Sequence, residues 1–143
     1  KGYAIFFNMN KFKDIGFFDE NYFLYFEEID LCKKIKKING KIYAGININI
    51  FHDGAKSVQD NNFELEKNRN WHWMWSTFYF YQKNYNYSYA FILILPKLLS
   101  SIIKTIFFLI IFNKKRKDVY FQRLKGLINS ILGKSSWYRP TLH

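Results

Sequence analysis

Residues 22–38 read YFLYFEEIDLCKKIKKI and place three carboxylates, those of Glu27, Glu28 and Asp30, between aromatic residues and a lysine-rich segment. The segment fits a helix at about 100° per residue, with an apolar stripe formed by Leu31, Cys32, Ile35 and Ile38. On this helix Glu28 points into the apolar stripe, Glu27 lies at its edge and Asp30 faces solvent. The acidic start of this helix is therefore the feature that needs an explanation.

Two explanations of the carboxylates remain open from the residues alone. The positive end of a helix dipole favours acidic residues, and Asp30 can pair with Lys34 one turn later. That explanation suits Glu27 and Asp30. A carboxylate among apolar neighbours loses solvation unless a partner, a metal or a proton compensates, and such a group often acts as a base. Glu28 is therefore either an ordinary helix-start residue or a candidate general base.

The charge is divided unevenly between the two halves of the chain. Residues 1–66 hold nine Lys or Arg and ten Asp or Glu, whereas residues 67–143 hold thirteen basic residues and one acidic residue. A basic half predicts nucleic acid, an anionic membrane surface or a phosphate-bearing substrate as partner. The sixteen Phe, eleven Tyr and four Trp favour a membrane interface, where amphipathic rings settle. The single cysteine, Cys32, excludes an internal disulfide and a cysteine-only metal site.

The first 60 residues alternate between predicted strands and short helices. GYAIFF at 2–7 is a predicted strand, and NKFKDIG at 10–16 is a helical turn. After the helix that ends at Asn39-Gly40, KIYAGI at 41–46 and NINIFH at 47–52 are two further predicted strands. This order predicts the edge of an α/β layer. Because the chain opens in the middle of a strand, we expect an upstream part of the same domain to precede it.

Long helical segments begin at about residue 61. WHWMWSTFYFYQ at 71–82 is aromatic on every side and must be covered by protein or lipid. AFILILPKLLSSIIKTIFFLIIF at 90–112 is long enough to span a bilayer, but Pro96 is expected to break it. After that break a polar stripe follows, formed by Lys97, Ser101, Lys104 and Thr105. A central lysine costs roughly 2.5 to 3.5 kcal/mol on insertion, so a helix lying in the interface is favoured, with a crossing helix as the alternative.

A cluster of cations follows the apolar segment. NKKRK at 113–117 supplies four cationic side chains, those of Lys114, Lys115, Arg116 and Lys117. Each cation can add about 1 kcal/mol of attraction to an anionic leaflet, and such clusters face the cytoplasm. A final amphipathic helix is predicted over 118–132, ending at Gly133.

These motifs together resemble a known family. GFFDENYFLYFEEIDLCKKIKKINGKIY at 16–43, followed by a strand and HDGAKS at 52–57, resembles the C-terminal half of bacterial family 2 glycosyltransferases. The resemblance is especially to the rhamnosyltransferase-like branch, which builds cell-surface polysaccharide and cell wall. RNWHWMWSTFYFYQKNY at 69–85 and RLKGLINSILGKSSWYRP at 123–140 resemble the tail of that branch. The resemblance implies an α/β fold, with residues 1–60 as the C-terminal part of a Rossmann-like GT-A catalytic domain and residues 61–143 as a helical membrane-associated tail.

The resemblance also implies site residues. Glu27 and Glu28 match the family's acidic pair, whose second member, usually Asp, is the catalytic base. His52 matches a histidine that completes the site of a divalent cation, Mg²⁺ or Mn²⁺, whose other ligands are expected upstream; the alternative is an ordinary histidine at the end of a strand. Asp19 and Glu20 match the loop near the acceptor, and Arg69 is placed to contact an acceptor diphosphate; the alternative for these three is solvated charge.

The implied activity is inverting sugar transfer. The base removes a proton from an acceptor hydroxyl as its oxygen attacks the anomeric carbon and the nucleoside diphosphate leaves. The donor is a nucleotide sugar, with rhamnose as the sugar that the branch implies, and the acceptor is lipid-linked or a polysaccharide. The expected location is the cytoplasmic face of the bacterial inner membrane, held peripherally by Lys97, Lys104 and the cations of residues 114–117. A non-catalytic membrane-binding module is the alternative, and nucleic-acid binding is disfavoured because the cations surround an apolar stretch.

Overall fold

The computed structural model describes residues 4–12, 16–51 and 63–139. These residues form five helices: α1 (Met9–Phe12), α2 (Glu27–Lys37), α3 (Phe63–Asn84), α4 (Tyr87–Ile110) and α5 (Lys114–Ile131). No β-strand occurs in the described ranges. The prediction of an α/β, Rossmann-like GT-A fold is therefore wrong for this structure, which is a helical bundle.

The segments predicted as strands are irregular. Residues 41–51 form no strand, and Tyr43 and Ile46 are 80% and 89% exposed. A strand is stable only when its N–H and C=O groups pair with a neighbouring strand, and no such neighbour lies in the described part of the chain. Alternation of Ile with polar residues was therefore not enough to form a sheet.

Three long helices form the body of the protein. Its core contains Met74 and Phe78 from α3, Ala90 and Ile94 from α4, and Leu127 from α5, all fully buried. The short link between α3 and α4 reverses the chain, so α4 runs antiparallel to α3. The aromatic segment at 71–82 is thus covered by protein on most of its faces, as the pattern required.

The parallel packing of α3 and α5 depends on one glycine. A Cβ atom at Gly126 would overlap the backbone carbonyl oxygen of Trp71. One turn further along both helices, the Ser130 hydroxyl donates a hydrogen bond to the Trp75 carbonyl oxygen at 2.9 Å. The missing side chain at residue 126 therefore allows the two backbones to approach closely.

The segment after α5 folds back along α3. Gly133 has a left-handed φ of 68°, and residues 134–139, which we call the strap, then run toward the start of α3. The Trp75 indole donates to the Lys134 carbonyl oxygen at 2.9 Å. His72, which is fully buried, bonds the Tyr138 carbonyl oxygen through Nε2 at 2.7 Å and the Ser136 hydroxyl through Nδ1 at 2.9 Å. The strap thus covers the aromatic side of α3.

The predicted end of α2 is confirmed, and the predicted break in α4 is wrong. The helix α2 ends where Asn39-Gly40 predicted, since Asn39 has a φ of 57° and the Gly40 N–H donates to the Ile35 carbonyl oxygen at 2.9 Å. The expected break at Pro96 does not occur, because α4 continues through it to Ile110. A proline removes one helical hydrogen bond, and the remaining turns and the contacts with α3 and α5 keep α4 continuous.

Candidate functional site

The predicted acidic pair lies on the first turn of α2, after two strained residues. Tyr25 and Phe26 have left-handed φ values of 68° and 70°, and Phe26 has no side-chain cap hydrogen bond. Such conformations cost about 1–3 kcal/mol each in residues with side chains, and they concentrate at functional sites. Both rings contact Trp73 of α3, at centroid distances of 5.3 and 5.4 Å. Aromatic packing on α3 therefore holds the strained entry into α2.

Glu27 presents a buried carboxylate oxygen. Its Oε2 atom has no hydrogen-bond partner among the described residues, and the same is true of the buried Tyr22 hydroxyl. Burial raises the pKa of Tyr22, and the charges of Asp30, Tyr79, Asp19 and Glu27 raise it further. A buried acceptor and a buried donor without partners are costly, so this corner favours a bound polar group. Glu28 lies half-buried on the same turn.

The prediction that Asp30 faces solvent is wrong. Asp30 is 1% exposed, and its Oδ2 atom lies 2.6 Å from the Lys83 ammonium. The Asn84 side chain donates to Oδ1 at 2.8 Å, and Lys34 lies 4.0 Å from Oδ2. The buried face of α2 therefore contacts polar groups of α3 as well as apolar residues. The positions of apolar residues along α2 could not indicate these polar partners.

Asp19 joins the same network. The Lys83 ammonium also lies 2.6 Å from Asp19 Oδ2, and the Tyr79 hydroxyl donates to that oxygen at 2.9 Å. Burial alone would raise the pKa of Asp19, but the hydrogen bonds from Lys83, Asn21 and Tyr79 outweigh it and lower the pKa to about 2. Burial alone would lower the pKa of Lys83, but its hydrogen bonds and charge interactions with Asp19 and Asp30 outweigh burial and raise that pKa. Asp19 is therefore an anchored carboxylate that fixes the loop before α2 to α3.

The other predicted contact residues lie in different places. Arg69, exposed on α3, is close enough to Tyr25 to oppose the rise in pKa that burial gives the Tyr25 hydroxyl. The charge of Glu27 acts on the same hydroxyl, so Arg69 and Glu27 both lie near Tyr25. Glu20 is exposed on the turn that follows Asp19, and no ion pair connects it to the network in the described residues.

The predicted metal ligand, His52, lies outside the described residues. Within the described ranges no group of three His, Cys, Asp or Glu side chains is arranged to hold a metal ion. The divalent cation implied by the resemblance therefore has no assigned ligands in this part of the chain.

An open groove lies beside the network. It has a volume of about 460 Å³ and is lined by Asn21, Trp75, Tyr79, Gln82, Lys83, Ser130, Gly133, Lys134 and Ser135. The lining combines aromatic edges with amide, hydroxyl and ammonium groups. These are the groups that bind a ligand rich in hydroxyls.

Sequence reasoning missed Lys83, which bridges Asp19 and Asp30, and Tyr22, whose buried ring lies 5.7 Å from the Lys83 ammonium. Lys83 is 53 residues from Asp30 and 64 from Asp19, so no local spacing pointed to their contact. A lysine near the end of an aromatic helix, opposite a loop rich in acids, was the available signal.

The outer face of α4 is apolar and exposed. Six aliphatic side chains, each 40% to 68% exposed and spaced three or four residues apart, form what we call the α4 stripe: Ile92, Leu95, Leu99, Ile103, Ile106 and Ile110. The helix has a mean hydropathy of 2.0 over its most apolar 18 residues, of which 11% are buried. Among the described residues it is the one helix long and apolar enough to cross a membrane, and its exposure separates it from an ordinary core helix.

The polar side of α4 faces α5. Ser101 is 2% exposed and its hydroxyl donates to the Lys97 carbonyl oxygen at 2.8 Å, while the Thr105 hydroxyl donates to the Ser101 carbonyl oxygen at 2.7 Å. The Lys104 ammonium lies 5.1 Å from the centre of the Tyr120 ring on α5. Lys97 and Lys104 therefore belong to the α4–α5 side rather than to the α4 stripe.

The cations of residues 114–117 form the first turn of α5. Lys114, Lys115 and Arg116 are exposed, and Lys117 pairs with Asp118 at 2.8 Å. The first turn contains no acidic residue, although the positive end of the helix dipole disfavours cations there. An anionic partner would offset this local repulsion.

No family model matches the chain, no curated protein matches it, and no solved structure matches it. The functional assignment therefore depends on the residues and contacts described above.

Proposed function

We propose that this chain forms the acceptor side of an inverting glycosyltransferase that works at an anionic membrane surface. The observation that carries the proposal is the buried, unpartnered Oε2 atom of Glu27 beside a second carboxylate on a strained helix start. In the proposal an acceptor hydroxyl donates a hydrogen bond to Glu27. Glu28 is the base that removes the proton as the acceptor oxygen attacks the anomeric carbon. The bond between the anomeric carbon and the diphosphate oxygen breaks at the same time, and the nucleoside diphosphate leaves. The donor is bound outside the described residues.

The network around Lys83 supports this assignment. General-base catalysis needs the base held within hydrogen-bond reach of the proton that it removes. The contacts of Lys83 with Asp19 and Asp30 fix both the loop before α2 and the end of the first turn of α2 to α3. The acidic pair lies between these two anchors. It thus lies on a helix, and sites built on helices hold their geometry more precisely than sites built on loops.

The test is transfer of labelled sugar from nucleoside-diphosphate sugars to a lipid-linked acceptor by the full-length protein. Glu28→Gln keeps the size of the side chain but removes the basic oxygen, so turnover should fall by about 10² to 10⁴-fold. Glu27→Gln should chiefly raise the KM for the acceptor. Glu66→Gln, which changes an exposed carboxylate on α3, is the matched control and should change neither.

Two results would contradict the assigned roles. Normal turnover of Glu28→Gln with loss of turnover in Glu27→Gln would exchange the two roles. Normal turnover of both variants, with unchanged thermal melting, would leave the acidic pair as a helix-start feature. In that case the catalytic proposal fails.

The membrane part of the proposal depends on the α4 stripe and the first turn of α5. An apolar helix face beside a cluster of cations suits an interfacial helix, which buries its apolar side among acyl chains while cations attract anionic headgroups. We place α4 in the cytoplasmic interface, parallel to the membrane. A non-catalytic membrane-binding module is the second candidate function, and the same exposed stripe favours it.

Vesicle flotation tests the docking. Leu99→Asp should reduce binding to vesicles of phosphatidylcholine and phosphatidylglycerol, because it places a charge in the middle of the α4 stripe. Ile46→Asp, at a residue 89% exposed and outside the stripe, is the control and should bind normally. Alkaline carbonate should release the protein from membranes, because α4 is proposed to lie in the interface. Retention in the pellet would instead indicate a helix that crosses the membrane.

A further inference from the structure

Two cations lie near one aromatic ring where α4 packs against α5, and a third cation lies close to one of them. The Lys104 ammonium lies 5.1 Å from the centre of the Tyr120 ring, and the Arg123 guanidinium carbon lies 5.7 Å from it. Lys97 precedes Lys104 by two helical turns on the same side of α4. Its pKa is lowered by partial desolvation and then by the neighbouring Arg123 charge. We call these three side chains the cationic groove.

The cationic groove has no counter-ion in the described part of the protein. The ion pairs of the described residues involve Lys34, Lys67, Lys83 and Lys117, and none involves a member of the groove. The buried Nε atom of Arg123 has no hydrogen-bond partner among those residues, and an Nη atom has only the Met74 sulfur at 3.8 Å. A partly buried guanidinium with an unpartnered Nε donor, beside the charge of Lys97, favours an anionic ligand.

We propose that the cationic groove binds a phosphate group. A phosphate offers several acceptor oxygens and a charge that offsets the mutual repulsion of the three cations, and a guanidinium can donate two parallel hydrogen bonds to it. This site is separate from the acidic pair on α2. Phosphate binding there does not depend on the proposed sugar transfer. It depends on the proposed membrane docking only for the source of the phosphate, which is a lipid headgroup if α4 lies in the interface.

The position of the cationic groove on α4 allows it to reach a lipid headgroup. At about 100° per residue, Lys97 and Lys104 lie roughly 150° around α4 from the middle of the α4 stripe. With the stripe among acyl chains, the ammonium groups point away from the hydrocarbon. They can then reach phosphates that lie above it, as long cationic side chains do at membrane surfaces.

Three binding probes are compared for the full chain: phosphatidylcholine vesicles, the same vesicles with phosphatidic acid, and inorganic diphosphate without vesicles. Arg123→Gln should lower the affinity for phosphatidic-acid vesicles by about 10- to 100-fold, the value of charged hydrogen bonds. Arg116→Gln makes the same charge change on an exposed residue of α5, and should lower it by about five-fold at most. Lys97→Gln is a second groove variant, and thermal melting checks that each variant is folded.

The outcomes separate this inference from the docking proposal. If Arg123→Gln and Lys97→Gln lose affinity beyond Arg116→Gln for the vesicles, the groove binds a headgroup phosphate. If the difference appears only with inorganic diphosphate, the ligand is soluble and the inference stands without membrane docking. If all three variants lose affinity equally with each probe, the groove is not a site and the inference is wrong, even where vesicle binding itself persists.

Discussion

Replacing Lys83 by methionine removes the ammonium that bridges Asp19 and Asp30. The carboxylate of Asp30 is 1% exposed and would keep only the Asn84 hydrogen bond and Lys34 at 4.0 Å. Removing one partner of a buried ion pair costs about 3–5 kcal/mol. The Lys83 side chain is 28% exposed, so we expect the lower end, about 3 kcal/mol, a large part of the 5–15 kcal/mol that stabilises a typical domain.

Urea unfolding followed by far-ultraviolet circular dichroism measures this loss. Lys34→Met removes a more distant and partly exposed cation, and should cost less than about 1 kcal/mol. In the double variant Asp30→Asn with Lys83→Met, the buried charge of Asp30 is removed as well, so part of the stability should return. Asp19, whose side chain is 11% exposed, keeps its hydrogen bonds from Tyr79 and Asn21. A loss below about 1 kcal/mol for Lys83→Met, without recovery in the double variant, would refute the view that this ion pair anchors α2.

Three further predictions concern the bundle and the strap. Gly126→Ala should destabilise the protein by more than about 1 kcal/mol in urea unfolding, because the added methyl overlaps the Trp71 carbonyl oxygen. The control Ser135→Ala, at an exposed residue, should change the free energy of unfolding little. The His72 imidazole should titrate at about 4 rather than 6.5 by NMR, because burial outweighs its bond to Tyr138 and lowers its pKa. This lowered pKa stabilises the fold above pH 6.5, and the contribution is lost as pH falls toward 4; a midpoint near 6.5 would contradict a docked strap. Trp75→Phe should speed hydrogen exchange of the strap, since it removes the indole bond to Lys134.

Helices could be predicted from this sequence and the sheet could not. The helix α2 ends at the predicted asparagine and glycine, and α5 follows the 3.6-residue apolar period, because both signals are local. A strand depends on partners elsewhere in the chain. Residues 41–46 carry a strand-like pattern but have no neighbour to pair with in the described residues, so the pattern misled the assignment of fold class.

The candidate site was predicted only where its chemistry is local. The acidic start of α2 is visible in the sequence as two adjacent glutamates. The contacts that decide their surroundings come from α3, more than 50 residues later, and reverse the expected exposure of Asp30. The burial of the unpartnered Oε2 atom of Glu27 also depends on packing around Tyr25 and Phe26, which have left-handed φ values. A helical wheel contains no information on that packing.

The first turn of α5 makes the stability of the protein depend on the buffer. Its four consecutive cations repel one another and the positive helix end, and one of them has an acid partner, Asp118. Dissolved ions screen exposed charges over about 10 Å at 0.1 M salt, so moderate ionic strength should stabilise this turn where it would weaken an ordinary surface ion pair. Dialysis into water or dilute buffer would fray α5 from its first residue. Purification in moderate salt is therefore the condition under which the α4–α5 connection should stay folded.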